Sequence, residues 1–302
     1  MSRVWVDRTL LEAAVADGLH LVCLELQPID VACAWPVFRG GAYGIEPLFV
    51  KVTTPEAARR TLSFLRRAAG CEFLPRPLTD EPIPFNELAV VCLEWKEGVR
   101  VNAEDMTDAQ LASFAAGCRR LAEELAKAVD VTPPDDDQPE RQYDELMCYA
   151  LRHPLAGRLL RPLLEVPAEE RTYGGRTLAT IHGDLQPKNY AFAGDRLSAV
   201  FDTDDLTQGL ACEDAAYAFT ERCRRAELSA AQRAGLAERF LRLVALLPWP
   251  KSDWLVAVNH ARLRIAARRL RNHPDSFFVA FDIARRDRPL RTLVAALKEE
   301  HA

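Results

Sequence analysis

Two short apolar runs, each ending at an acidic residue, constrain the fold of this chain more than any other feature. Leu178-Ala179-Thr180-Ile181 leads into His182-Gly183-Asp184-Leu185-Gln186-Pro187-Lys188-Asn189, and Leu197-Ser198-Ala199-Val200-Phe201 leads into Asp202. Both have the length and composition of short strands, so the pattern predicts strands that deliver Asp184 and Asp202 into loops. Two acids at strand ends can face one site.

The residue types suit phosphoryl transfer. A hydroxyl that attacks the γ-phosphate of ATP must be held in line and relieved of its proton, a task for a carboxylate such as Asp184. Magnesium, which offsets the charge on phosphate oxygens, prefers hard oxygen ligands, and Asp202 and the side-chain carbonyl of Asn189 supply them. His182 is expected to pack and hydrogen-bond beneath the loop rather than to act as base or metal ligand. Asp204 and Asp205 read either as contacts to a second metal or a cationic substrate, or as a plain solvated turn.

At these residues the chain resembles the aminoglycoside phosphotransferase and choline kinase group, relatives of the eukaryotic-type protein kinases. The resemblance rests on His182-Gly183-Asp184 with Asn189 five residues after the aspartate, on Asp202, and on Asp214-Ala215-Ala216. It implies that Asp184 is the catalytic base, that Asn189 and Asp202 bind magnesium, and that Asp214 braces the catalytic loop. Lys51, inside the apolar strand pattern Leu48-Phe49-Val50-Lys51-Val52, looks like the family's lysine for the α- and β-phosphates of ATP. The apolar run 88–93, followed by Glu94-Trp95-Lys96, resembles the hinge whose backbone binds adenine. A sheet strand ending in a turn explains the same residues without ATP.

The implied fold class is α+β, a bilobal protein kinase-like fold. It has a small N-terminal sheet-containing lobe over residues 1–95 and a larger, mainly helical C-terminal lobe over 96–302, with the nucleotide between them. The chain departs from the family in one respect. The family's helix after the lysine carries a glutamate that pairs with it, yet residues 57–69 contain no acid, leaving Glu56 as the only carboxylate on that helix.

Local signals fill in the elements. Asp7 caps a helix ending near Gly18, followed by extended runs at 20–26 and 31–38. Arg39-Gly40-Gly41-Ala42-Tyr43-Gly44 then separates strands, and Gly40, Gly41 and Gly44 either let the backbone lie close over phosphates or form an ordinary hairpin turn. Thr54-Pro55-Glu56 opens a helix that Gly70 ends. Thr107-Asp108-Ala109-Gln110 is a capping box opening a helix to about Ala128, with Leu111, Phe114, Cys118, Leu121 and Leu125 along one face. Residues 131–139 form a proline- and acid-rich loop. Ser229 opens another capping box, and later helices are expected over 253–272 and 289–300.

Composition excludes several classes. A net charge of -5 gives no support to nucleic acid as a partner. The first residues lack the apolar stretch of a signal peptide and no apolar run is long enough to span a bilayer, so the expectation is a cytoplasmic protein without a membrane partner. Eight cysteines occur without any Cys-x-x-Cys, which argues for buried thiols rather than zinc or a disulfide framework.

Only eleven residues separate Asp202 from Asp214, too few for a protein kinase's peptide platform, so the acceptor is expected to be a small-molecule hydroxyl compound. An aminoglycoside, sugar or amino alcohol would qualify. Its charge stays open. Asp202, Asp204, Asp205, Glu213 and Asp214 would suit a cation, whereas Arg262, Arg264, Arg268, Arg269 and Arg271 on one helix form either a solvated face or an anion site. Two competing classes are a nucleotide-binding pseudokinase acting as sensor or scaffold, and an adenylyl-transferring enzyme.

Overall fold

Asp7 caps the first helix, its carboxylate accepting from the amides of Thr9 and Leu10, and α1 (Arg8–Gly18) follows. The computed structural model describes residues 6–29, 35–44, 46–127, 139–225, 228–274, 276 and 278–299. The chain divides into two compact units, Met1–Gly98 with Ser198–Asp204, and Val99–Leu197 with Asp205–Ala302.

In the first unit the extended run expected at 20–26 forms a strand only at its end. The amides of Leu19, His20 and Leu21 are still bonded back to Val15, Asp17 and Ala16, and His20 has a φ of 56°, so the helix terminus consumes the start of the run. The strands are β1 (Glu25–Pro28), β2 (Val37–Gly41) and β3 (Leu48–Thr53), then, after α2 (Pro55–Arg67), β4 (Ile83–Phe85) and β5 (Leu88–Glu94). They form one antiparallel sheet in the order β1-β2-β3-β5-β4. Most of the second expected run, residues 31–34, lies outside the described residues.

β2 runs through Arg39, Gly40 and Gly41, which the sequence placed in a turn. A Cβ on Gly40 would sit 2.8 Å from Leu48 Cγ and 3.2 Å from Leu26 Cδ2, so the glycine is needed for close packing inside the sheet. The turn comes later, at Gly44, with a φ of 77°. Leu26, Leu48, Val50, Val52, Val90 and Cys92 pack with Leu11 and Val15 of α1 into the core of this unit. Because strand side chains alternate, Lys51 emerges on the face opposite Val50 and Val52.

The second unit is mainly helical. Its helix α3 (Asp108–Leu125) begins in the expected capping box, and Leu111, Phe114, Cys118, Leu121 and Leu125 are all buried. The loop expected at 131–139 falls outside the described residues up to 138, as does Ala128, and Pro139 opens α4 (Pro139–Arg152). After α5 (Pro154–Leu164) come β6 (Ala179–Ile181), β7 (Tyr190–Ala193), β8 (Arg196–Val200) and β9 (Thr207–Gly209). The strand β8 carries the chain back into the first unit at Ser198. Then follow α6 (Glu213–Arg225), α7 (Ala230–Leu246), α8 (Lys251–Asn272) and α9 (Phe278–Glu299).

The last helix starts eleven residues before the expected Pro289, which lies inside it. A proline there removes one helix hydrogen bond, a cost of about 3 kcal/mol. Burial of Ile283, Leu290, Leu293 and Leu297 on both sides of it offsets that cost. The Arg262 guanidinium also clamps neighbouring Asp287, with Nε 2.6 Å and Nη2 3.1 Å from its carboxylate oxygens. Arg262 is therefore neither on a solvated face nor in an anion site. No helix among the described residues is long and apolar enough to cross a membrane.

Candidate active site

β6 reaches the loop of residues 182–189 by pairing antiparallel with β9, Ile181 opposite Thr207. The next two amides leave the sheet and donate to one carboxylate, His182 N–H to Asp214 Oδ2 at 2.7 Å and Gly183 N–H to Asp214 Oδ1 at 2.9 Å. Burial pushes the Asp214 carboxyl above its ordinary range, while His182 and the two amide bonds pull the other way. Gly183 has a φ of 79°, a left-handed turn that any side chain would strain. His182 is fully buried, and its Nδ1 accepts the Asp184 N–H at 3.3 Å.

The Asp184 carboxylate is gripped at both oxygens. Gln186 Nε2 donates to Oδ1 at 2.5 Å and Asn189 Nδ2 to Oδ2 at 2.9 Å, with Lys188 Nζ 3.6 Å from Oδ2. Asn189 Nδ2 also donates to the Asp184 carbonyl at 2.8 Å. Since the asparagine amide nitrogen serves Asp184, its carbonyl oxygen is the end suited to a cation, a hard donor of the kind magnesium takes.

Below this loop, Glu213 at the start of α6 accepts the Leu210 N–H at 3.0 Å and lies 3.2 Å from His260 Nδ1, which is 3.0 Å from the Tyr173 hydroxyl. Burial alone would raise the Glu213 carboxyl, and His260 outweighs it to hold the group below its ordinary value. The partly open recess lined by Gly183, Asp214, His260 and Arg264 measures about 10 Å³, room for about one water.

In the first unit Lys51 is 8% exposed and its ammonium lies between two carboxylates, 2.5 Å from Asp202 Oδ1 and 2.7 Å from Asp204 Oδ2. Burial would lower the ammonium's pKa, but the two acids outweigh it and hold it above the usual lysine value. Asp204 is tied further, accepting from Thr61 Oγ1 at 2.9 Å and more loosely from Thr53 Oγ1 at 3.4 Å. Asp202 has a φ of 64°, a left-handed conformation that aspartate tolerates better than most residues. Neither oxygen ligand proposed from the sequence is soft or apolar, and one or two such groups plus phosphate oxygens is how magnesium is commonly held.

The lysine's partner is where the sequence reading needs correction. Glu56, the only acid on α2, is exposed at the first turn, whereas the carboxylates on Lys51 come from Asp202 and Asp204. Nor is Asp204 a solvated residue of a turn. Gln186 as a holder of Asp184 was likewise missed. The sequence shows an α2 that offers Thr61 but no acid, yet nothing in it ties Asp204 to Lys51, 153 residues away.

Of the hinge residues, the Glu94 amide donates to Arg76 O at 2.8 Å and the Trp95 amide to Pro47 O at 3.3 Å. The Glu94 side chain pairs with Arg76 and Lys96, at 3.0 Å and 3.2 Å. Arg39 lies over the Trp95 ring at 4.9 Å. Gly40 and Gly41 line a cleft of about 570 Å³ with Glu25, Gln27, Arg39 and Tyr43, a volume within the usual range for ligand pockets.

Three other arginines of α8 are engaged, while Arg268 is exposed. Arg264 stacks on the Tyr217 ring at 4.2 Å, Arg269 lies 3.4 Å from Asp282, and Arg271 lies 3.4 Å from Glu145. Cys71, Cys92, Cys118, Cys212 and Cys223 are buried thiols as expected, but Cys23 and Cys148 are exposed.

Comparison with solved structures gives the same fold throughout. An aminoglycoside phosphotransferase from Alicyclobacillus acidocaldarius superposes with a TM-score of 0.68 at 15% identity, over 100% of this chain and 98% of that one. An amicoumacin kinase, solved in complex with AMP-PNP, Ca2+ and Ami, gives 0.62 at 12% identity over 94% and 93%. A choline/ethanolamine kinase family protein from Mesorhizobium loti gives 0.55 at 16% over 91% and 92%. At such identities the likeness establishes the fold alone, an α+β fold of kinase-like type. No curated protein matches. Residues 37–255 match the family described as APH, phosphotransferase enzyme family, and that stretch contains Lys51, Asp184, Asn189, Asp202 and Asp214. This chain belongs to the APH phosphotransferase family.

Proposed function

We propose that the protein is an ATP- and magnesium-dependent kinase of a small-molecule hydroxyl group, an aminoglycoside, sugar or amino alcohol. The observation that carries this reading is the Asp184 carboxylate, held by Gln186 and Asn189 on a loop whose first amides are pinned by Asp214. A carboxylate fixed this way is suited to orient an acceptor hydroxyl and take its proton as the oxygen attacks the γ-phosphate. The solved amicoumacin kinase complex, with AMP-PNP and Ca2+, supports an ATP and divalent-cation site here, and magnesium is our assignment of that cation.

Asp202 and Asn189 are assigned to magnesium, which when bound would neutralise charge on the transferring phosphate. Lys51 is assigned to the α- and β-phosphates, because an ammonium already held between acids can exchange one of them for phosphate oxygens. Gly40, Gly41 and Gly44 are assigned to the phosphate side. Adenine falls to the backbone of Glu94, Trp95 and Lys96, where carbonyls and the Lys96 amide serve, since the Glu94 and Trp95 amides have partners. Residues 1–95 are assigned to the nucleotide lobe and 96–302 to the catalytic and acceptor lobe. The reaction is assigned to the cytoplasm, where ATP and magnesium are supplied.

The test is product mass after incubation with ATP and magnesium over aminoglycosides, amino alcohols, neutral sugars and sugar acids. A gain of one phosphate on one class is the expected result. A gain of AMP would replace the kinase with an adenylyl transferase, and no turnover beside tight ATP binding would favour a pseudokinase.

A further inference from the structure

We infer that Asp204 is the positioning residue for Lys51, taking over the work that a helix carboxylate would do, and that Thr61 is the helix's remaining contribution to it. The inference rests on the kinase reading above and extends it to a residue that reading leaves without a role. Three distances carry it. Asp204 Oδ2 is 2.7 Å from Lys51 Nζ, while the other oxygen, Oδ1, accepts from Thr61 Oγ1 at 2.9 Å, so one carboxylate bridges the lysine of β3 to the middle of α2. Thr53 Oγ1, at 3.4 Å, approaches from the end of β3. Thr61 and Lys51 are both buried, so the bridge is shielded from water and from screening.

The second acid on Lys51, Asp202, cannot serve this purpose through a catalytic cycle. As the proposed metal ligand it must turn its charge towards a cation, which repels the ammonium it now touches. Asp204, read from the sequence as a contact to a second metal or a cationic substrate, instead has both oxygens engaged, one with Lys51 and Thr53 and the other with the helix hydroxyl of Thr61. With Asp202 drawn to the metal, Asp204 alone keeps the ammonium oriented, and a buried ammonium without a carboxylate is strongly disfavoured. The missing helix glutamate is in this view a relocation of the acid from α2 to the segment after Asp202, with threonine left at the contact.

The swap that the geometry suggests also tests it. ATP affinity is measured by calorimetry with and without magnesium for the parent, Asp204→Asn, Asp204→Glu, Thr61→Val, Lys51→Ala and the double variant Asp204→Asn with Thr61→Glu. Thermal melts are recorded for each. Expected are a loss of about tenfold or more in magnesium-dependent affinity for Asp204→Asn, and a smaller loss for Thr61→Val. Recovery to within about threefold is expected in the double variant or in Asp204→Glu, because either restores a carboxylate to Lys51. The Asp204→Asn penalty is expected to shrink in EDTA, where Asp202 stays with the lysine. Unchanged affinity in Asp204→Asn beside a clear loss in Lys51→Ala would overturn the inference and leave the kinase reading standing. A loss that neither acid-restoring variant recovers would overturn it in favour of a folding role. A parent that does not bind ATP at all would overturn both.

Discussion

In the first unit Asp202 and Asp204 are held by a cation, Lys51, that lies 151 and 153 residues away in sequence, whereas in the second Asp184 is held mainly by neutral amides two and five residues away. The difference has a physical consequence. A charge held by a charge can be exchanged for another charged partner at modest cost, because the incoming ion replaces what it displaces. A carboxylate locked at both oxygens by side-chain amides has its direction fixed by covalent neighbours. The first arrangement suits groups that meet phosphate and metal, and the second suits a base that must not move.

The sharpest way to break that contrast is to remove one anchor from each unit. Asp184→Asn is expected to lower turnover by about 10²–10⁴ while ATP affinity stays within about threefold. Lys51→Ala is expected to do the reverse, weakening ATP at least about tenfold. Steady-state kinetics with an acceptor from the product screen and calorimetry with ATP separate the two. Equal loss of ATP affinity in both variants would show that the two sets of residues do not divide binding from chemistry.

The same contrast explains what the sequence made legible. Asp184, Asn189 and His182 sit in one eight-residue segment, and hydrogen bonds that span two to five residues can be anticipated from spacing. The caps of α1, α2, α3 and α7 were equally readable, since each depends on a residue and an amide two or three positions on. Asp204 was not readable, because its partners Lys51 and Thr61 meet it only through the folded chain. The strand through Gly40 was hidden for a related reason. Glycine signals a turn locally, and only the side chains of Leu48 and Leu26 on neighbouring strands reveal that it is packing. Pro289 misled in the same way, marking a helix start where burial carries the helix through.

Charge pairing is not confined to the first unit, and Arg262 sharpens the comparison. Its guanidinium and Asp287 are both buried, and Asn259 Oδ1 takes a further bond at 2.6 Å. Unlike Lys51 it has no route to an incoming anion, so its role is structural. Arg262→Ala leaves the buried Asp287 with only the half-exposed Arg291, 3.3 Å away, and is expected to cost about 3 kcal/mol in urea denaturation. A cost below about 1 kcal/mol would mean that this pair, too, is open to exchange.

A smaller effect is expected at Asp214, which bridges the two kinds of holding because a charged group there accepts from backbone amides. Asp214→Asn turns one accepting oxygen into a donor facing an N–H, a loss on the order of 1.5–3 kcal/mol in orienting the loop. Turnover is expected to fall roughly ten- to a hundredfold with ATP affinity unchanged. If ATP affinity falls in step with turnover, the loop brace acts beyond Asp184.

The smallest effect asks whether both units bury their interiors equally well. Burial pushes the Cys92 thiol of β5 and the Cys223 thiol of α6 each up to about 12. A free thiol ionises near 8.5, so above that pH the unfolded chain releases a proton that the folded one keeps. With folded values raised, the stability tied to each thiol is complete below about 8.5 and is lost as pH rises towards 12, by at most about 1.4 kcal/mol per pH unit. Melting temperatures at pH 7, 9 and 10 for the parent, Cys92→Ala and Cys223→Ala isolate each share, because the alanine variant lacks the alkaline decline its thiol causes. Equal shares are expected. A decline removed by only one of the substitutions would mean that the other unit opens to solvent before global unfolding, and a first unit that opens so would fit charges poised to change partners.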